Sequence, residues 1–213
     1  MKVLTFALGA MRTNTYFVFD SDGSCAVIDP GMDAQGIYEK LQQKGLSPSH
    51  ILLTHGHFDH SEAVKELAEK TGAIVCIHKE DGKMLEDPRI NSANFYYRGN
   101  FDSYPRAHAD LLLNDKEKLQ VGSLTFMLLH TPGHTPGSCC YAIEDHLFCG
   151  DTVFAYGFGR YDLWGGDKLA LADSLEKIAS LSQPFKLLPG HGNTASLIRI
   201  RDQILQDASA LKN

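Results

Sequence analysis

Three histidines and an aspartate are concentrated in the segment Thr54-His55-Gly56-His57-Phe58-Asp59-His60, directly after the apolar run Ile51-Leu52-Leu53. Imidazole and carboxylate are ligands that borderline divalent metals take. The HxHxDH spacing can serve two metals, with His55 and His57 pointing one way and Asp59 and His60 the other. The alternative is a chance group of histidines on a solvated loop, although such a group seldom has this spacing after a buried strand.

Three further candidate ligands occur later in the chain: His134 in the segment TPGHTPGS, Asp151 in CGDT and His191 in PGHG. Each follows an apolar, strand-like run and lies on a turn with glycine, which permits sharp turns and close backbone approach. Ligands on loops at one end of a rigid sheet commonly build a site. We therefore predict two metals that share Asp151 as a bridging ligand. The first is held by His55, His57 and His134, and the second by Asp59, His60 and His191.

The motifs THxHxDH, GHTxG, GDT and GHG, in this order along the chain, resemble those of the metallo-β-lactamase superfamily. They are most similar to the motifs of its glyoxalase II-like hydrolases. The resemblance covers nearly the whole chain and begins with Asn14-Thr15-Tyr16 and Val27-Ile28-Asp29-Pro30-Gly31. It implies an α/β fold, an αββα sandwich, in a single domain over residues 1–213. It also implies a dinuclear metal site.

Departures from the patterns of other branches narrow the resemblance. Flavodiiron proteins usually carry a glutamate where His57 stands, so the histidine favours hydrolysis. Secreted β-lactamases lack a bridging aspartate at the Asp151 position, which argues against that activity. The branches that cut nucleic acids carry extra domains or an arm that binds RNA, which we do not expect in a chain of 213 residues. Only 22 residues follow His191, so we expect the C-terminal helical domain of full glyoxalase II enzymes to be missing, as in shorter bacterial homologues. Glutathione recognition is therefore left open.

The predicted reaction is hydrolysis of a small thioester or ester, such as S-lactoylglutathione. Two dications about 3.5–4 Å apart clamp the attacking and leaving oxygens and acidify a shared water to a pKa near ~7, which gives a metal-bridged hydroxide. Asp59 and Asp151 are the predicted catalytic residues, because each can orient that hydroxide by accepting its hydrogen bond. All seven ligands are nitrogen or oxygen, so we predict two divalent ions, zinc first, with iron and manganese left open.

A glycine-rich segment, residues 157–166, supplies the substrate-binding candidates Arg160 and Tyr161. Arginine can bind a carboxylate bidentately. The alternative is that Arg160 pairs with Asp162 to shape the loop, and that Tyr161 packs in the core. A similar GR-x-D stretch occurs in persulfide dioxygenases, which use one iron, and that activity is the alternative function.

An aspartate and several histidines lie outside the ligand motifs. Asp29 either accepts a hydrogen bond from an imidazole or forms a turn before proline. His50, His78 and His130 are predicted to be structural, and no role is assigned to His108.

Composition limits the classes of partner. The chain has 43% hydrophobic and 22% charged residues, which is ordinary for a globular domain. The net charge of −6 lacks the excess of positive charge that is typical of proteins that bind nucleic acid. The N-terminus lacks a signal-peptide pattern, and no apolar run approaches the ~20 residues of a membrane helix. We expect a cytoplasmic protein with a small-molecule substrate and no nucleic-acid or membrane partner. Homo-oligomerisation is left open.

The five cysteines fall in apolar runs without paired spacing, which favours buried free thiols over disulfides. Hydrophobic periodicity predicts ten strands and four helices. The strands are residues 2–9, 14–20, 24–29, 50–54, 73–78, 118–121, 124–130, 138–144, 146–149 and 185–188. The helices are residues 33–44, 61–70, 167–181 and 195–211, the last capped by Thr194. Residues 79–115 are predicted as helical turns and a loop near the mouth of the site, with packing on the outer face of the sandwich as the alternative.

Overall fold

Two six-stranded sheets lie face to face at the centre of the computed structural model, which describes residues 1–213. In the first sheet the strands follow chain order; β1 to β3 are antiparallel and β3 to β6 are parallel. They are β1 (Lys2–Leu8), β2 (Thr13–Phe19), β3 (Cys25–Ile28), β4 (His50–Leu53), β5 (Ile74–His78) and β6 (Leu111–Leu113).

The second sheet has the order β12-β11-β10-β9-β8-β7. Its strands are antiparallel except for the parallel pair β10 and β11. They are β7 (Lys118–Val121), β8 (Leu124–His130), β9 (Cys139–Ile143), β10 (His146–Gly150), β11 (Lys186–Pro189) and β12 (Ala195–Ser196).

Six α-helices and one 3-10 helix accompany the sheets. The α-helices are α1 (Ala34–Gln43), α2 (Phe58–Ser61), α3 (Val64–Thr71), α4 (Asn94–Tyr97), α5 (Lys168–Ala179) and α6 (Leu197–Lys212), and the 3-10 helix is Lys79–Leu85. None of the helices combines the length and the hydropathy that a membrane span requires.

Alternation along the strands produces the layers. In β2, Tyr16 and Val18 point into the core between the sheets, whereas Phe17 points into the core under α1 and α3. A third core lies between the second sheet and the helices α5 and α6, where Leu175 and Ile204 are buried. Successive strand residues point to opposite faces, so buried strands with two apolar faces need cover on both sides. The predicted αββα sandwich is confirmed.

The ten predicted strands are all present with small differences at their ends. Two strands were missed: β12, and β6, which lies in residues 79–115, where only helical turns and a loop were expected. The helix expected over residues 61–70 is α3 and begins later, at Val64, while a separate one-turn helix that was not predicted, α2, begins at Phe58 inside the HxHxDH segment. Thr194 was the wrong cap. Ala195 and Ser196 pair with β11 as β12, so α6 cannot begin before Leu197. All five cysteines are buried and unpaired, as predicted.

Candidate metal centre

The predicted ligands lie on loops that leave the carboxyl ends of four strands. The HxHxDH loop follows β4, which ends at Leu53, and α2 carries Asp59 and His60 in its single turn. The loops after β8, β10 and β11 carry His134, Asp151 and His191. The structure brings all seven side chains into one cluster, which falls into adjoining groups of potential metal ligands.

The first group consists of three buried imidazoles. Nε2 of His134 lies 2.9 Å from Nδ1 of His57 and 3.3 Å from Nε2 of His55. Burial, together with the neighbouring histidines, lowers the pKa of His55 well below its ordinary value and that of His57 to about 3. Three imidazoles with converging nitrogens suit a cation between them, because a neutral imidazole offers a lone pair to a metal.

The second group consists of two imidazoles and a carboxylate. Nε2 of His191 lies 3.3 Å from both Nε2 of His60 and Oδ2 of Asp59. Burial opposes the charged form of His60, but the carboxylates of Asp151, Asp59 and Asp29 raise its pKa well above its ordinary value. This group therefore attracts positive charge more strongly than the all-histidine group.

Asp151 lies between the two groups. Its Oδ1 is 3.4 Å from Nε2 of His60, and its Oδ2 is 3.5 Å from Nε2 of His191 and 3.7 Å from Nε2 of His134. Oδ1 is buried and accepts no hydrogen bond. Burial opposes ionisation, yet His60, His191 and His134 lower the pKa of Asp151 far below its usual value. An ionised, unsatisfied carboxylate between two sets of imidazoles is the donor arrangement that a pair of divalent cations fits.

The outward nitrogens of three histidines are held by oxygen acceptors. Nδ1 of His134 lies 2.6 Å from the carbonyl oxygen of Arg160, and Nδ1 of His60 lies 3.0 Å from Oδ2 of Asp29. Nδ1 of His55 is 3.2 Å from Oγ1 of Thr54, whose hydroxyl donates to Asp29. Because Nδ1–H must be the donor in each contact, Nε2 is the nitrogen that faces the site and is available to a metal.

Asp29 accordingly holds an imidazole, which is one of its two predicted roles. Its carboxylate also accepts the backbone N–H of Thr54 at 2.8 Å. Asp29 is buried and has a left-handed backbone, with φ at 48°. It therefore links the end of β3 to the loop after β4 and orients His60 within that loop.

The glycine-rich loop has a backbone role that the sequence did not reveal. An added Cβ at Gly159 would lie 1.9 Å from the carbonyl oxygen of Asp151 and 3.0 Å from Nδ1 of His134. Only glycine allows the loop to approach both residues this closely. The approach places the carbonyl of Arg160 against His134.

The side chain of Arg160 is exposed and pairs with Asp162. Its Nε and Nη2 donate to the two carboxylate oxygens at 2.7 and 2.9 Å. Its guanidinium carbon lies 5.8 Å from the centroid of the Phe95 ring. Tyr161 packs against the core under α5 and α6 and does not line the cavity over the ligands.

A cavity of about 400 Å³ opens over the ligand cluster. Its walls combine five apolar side chains with the ligands and Arg160. The apolar residues are Met11, Phe58, Phe95, Phe154 and Leu163. Phe95 is 65% exposed and comes from residues 79–115, so part of that segment does lie at the mouth of the site, as predicted.

The family model "Metallo-beta-lactamase superfamily" matches residues 8–191. The chain belongs to this superfamily. Among curated relatives, a "Probable metallo-hydrolase YqgX" from Bacillus subtilis (strain 168) is 35% identical over 95% of this chain and 96% of its own. A "Hydroxyacylglutathione hydrolase GloC" from Haemophilus influenzae is 29% identical over 92% of this chain and 93% of its own.

Two solved structures are also similar. "BLEG-1 B3 metallo-beta-lactamase" has a TM-score of 0.86 and 35% identity over 94% of this chain and 97% of its own. "TTHA1623 in a di-iron-bound form" has a TM-score of 0.81 and 34% identity over 92% of this chain and 96% of its own. The family is the one whose fold the sequence predicted. One of the similar structures was solved in a di-iron-bound form.

Proposed function

We propose that this protein is a dinuclear, metal-dependent hydrolase that cleaves a small thioester or ester. The observation that carries the proposal is the position of Asp151, whose two oxygens face both complete ligand groups. Two divalent cations held there would acidify water and polarise a substrate carbonyl. A single-metal enzyme would leave the group of Asp59, His60 and His191 without a use.

Residues of the chain contribute to hydrolysis in two ways. Burial opposes ionisation of Asp59, but His60 and His191 lower its pKa below the usual value, so both Asp59 and Asp151 are ionised at neutral pH. Each can accept a hydrogen bond from an attacking water and orient it. The apolar walls of the cavity receive the uncharged part of the substrate and exclude bulk water, which strengthens electrostatic interactions with the reacting carbonyl.

Three observations support a thioester or ester over other substrates. The relative named hydroxyacylglutathione hydrolase covers nearly the same length as this chain. The cavity is small, which suits a compact acyl group. Arg160 lies at its rim, where a carboxylate of a glutathione-like leaving group would meet it. The 35% identity to BLEG-1 makes β-lactam hydrolysis a second candidate, despite the bridging position of Asp151.

A substrate panel on zinc-loaded, iron-loaded and metal-free protein tests the proposal. The panel contains S-lactoylglutathione, a neutral aryl ester, a chromogenic β-lactam and glutathione persulfide. We expect thiol release from S-lactoylglutathione with either metal, none without metal, and no oxygen uptake with the persulfide. Oxygen uptake confined to the iron form, without thioester cleavage, would establish the dioxygenase instead. Turnover of the β-lactam alone would establish the second candidate.

A further inference from the structure

Asp81 is a buried carboxylate outside the ligand cluster, with no solvent exposure. It lies in the 3-10 helix Lys79–Leu85, which follows β5 and packs behind the ligand loops. None of the ligand motifs includes it. A fully buried carboxylate is costly unless it is well hydrogen-bonded, so its partners indicate what it stabilises.

The partners of Asp81 come from two different ligand loops. Its Oδ2 accepts the backbone N–H of Gly56 at 2.9 Å and the hydroxyl of Thr135 at 2.7 Å. Its Oδ1 accepts the backbone N–H of Gly137 at 2.6 Å. Gly56 lies between the ligands His55 and His57 in sequence, and Thr135 follows the ligand His134.

The packing around Asp81 is as close as its hydrogen bonds. An added Cβ at Gly137 would lie 2.6 Å from both Cγ and the backbone nitrogen of Asp81. Oγ1 of Thr135 also lies 2.7 Å from the hydroxyl of Ser138, whose oxygen accepts the N–H of Thr135. The carboxylate is thus fixed on both sides and joins two loops that are 79 residues apart in sequence at His55 and His134.

We propose that Asp81 is a positioning residue that sets the spacing of the three imidazoles in the first metal site. One carboxylate fixes the backbone between His55 and His57 and the backbone after His134, so it controls the distance between the two loops. It has no hydrogen bond to α2, which carries Asp59 and His60, or to the loop that carries His191. Loss of its charge should therefore weaken the all-histidine site and spare the group of Asp59, His60 and His191.

The proposal rests on the proposed dinuclear centre. Groups that orient metal ligands typically change metal affinity by about 10- to 100-fold when they are removed. Asp81→Asn keeps the shape of the side chain but turns an NH₂ group toward backbone N–H donors, so at least one of the three hydrogen bonds must be lost. Thr135→Val removes one donor at nearly constant volume, and Thr135→Ser restores the hydroxyl.

The test is titration of metal-free protein with Zn²⁺ against a competing chelator, repeated with Co²⁺ to record its visible absorption. We expect Asp81→Asn to weaken one of two bound ions by about 10- to 100-fold and leave the other within about threefold. Thr135→Val should shift the same ion in the same direction, and Thr135→Ser should bind like the wild type. The Co²⁺ spectrum of the affected site should change as well.

Asp110→Asn is the control for loss of a carboxylate that accepts a backbone N–H, because the exposed Asp110 accepts that of Val75 at 2.8 Å, outside the ligand loops. Its two affinities should equal those of the wild type. Equal weakening of both ions in Asp81→Asn, or unchanged affinities with only a lower melting temperature of the metal-free protein, would overturn the role of Asp81. Should Asp81→Asn not fold, the Thr135 pair decides. Fewer than two ions in the wild type would instead contradict the dinuclear function.

Discussion

The carbonyl oxygen of Arg160 lies 2.6 Å from Nδ1 of His134, so the backbone of a glycine-rich loop orients a candidate metal ligand. The contact fixes the proton of His134 on Nδ1 and leaves Nε2 free to face His55 and His57. It depends on Gly159, whose missing side chain lets the loop lie against Asp151. One loop therefore contributes to both the first ligand group and the bridging carboxylate.

Gly159→Ala should displace this loop and weaken metal binding. The added methyl would lie 1.9 Å from a backbone oxygen, so the loop must move, at a cost of about 1–3 kcal/mol in the free energy of unfolding. Zinc affinity and unfolding in urea measure the two effects. Gly157→Asn is the control, because a side chain there meets open space and asparagine tolerates its left-handed backbone. Equal affinities for both variants would show that the close approach is not needed.

The sequence predicted which seven side chains come together, because chemistry restricts which residue types can hold a metal and strand ends bring them to one edge. It predicted poorly what holds those side chains. The acceptor for His134 is a backbone carbonyl, which every residue has, so no residue type signals it. Asp81 lies in a segment without periodicity, and its partners Gly56 and Gly137 become neighbours only when the two sheets pack together. Asp29, before Pro30, was the one residue that the sequence suggested as a hydrogen-bond partner for a ligand histidine.

Metal content should separate the ligand groups. Wild-type protein should bind two divalent ions per chain, and His191→Ala should bind about one, because the first group stays complete. Asp151→Ala should lower the affinity for both ions, since its oxygens face both groups. Elemental analysis of protein dialysed against excess metal provides the measurement. His108→Ala, an exposed histidine paired with Glu86 at 3.1 Å, should retain both ions. One ion in the wild type at saturation would remove the bridging role of Asp151.

Arg160→Ala should distinguish substrate binding from loop shaping, because the substitution keeps the backbone carbonyl that holds His134. If the guanidinium binds a carboxylate, the KM for acidic thioesters should rise about threefold to tenfold while kcat and the turnover of neutral esters stay unchanged. The exposed pair with Asp162 should contribute little to stability. Steady-state kinetics on one acidic and one neutral substrate give the comparison. An equal loss on both substrates would assign Arg160 to loop structure alone.

His78 should make the protein less stable in acid. Its ring stacks on that of His130, with centroids 3.9 Å apart. Burial, followed by His130 and Lys79, lowers the pKa of His78 to about 4 from its ordinary value of 6.5. The unfolded chain therefore binds a proton first as the pH falls below 6.5, and the stability that neutral His78 provides above that pH is lost progressively down to about pH 4.

His78→Asn removes this titration but keeps a side-chain acceptor for the N–H of Glu80 at the start of the 3-10 helix. The variant should be less stable than the wild type at neutral pH, because it loses the stacked ring. Its free energy of unfolding should then fall less steeply than that of the wild type between about pH 6.5 and pH 4. Urea unfolding of metal-free protein across that range measures both slopes, and metal-free conditions remove the competition between protons and metal at the ligands. Parallel slopes would show that His78 protonates alike in the folded and unfolded chain.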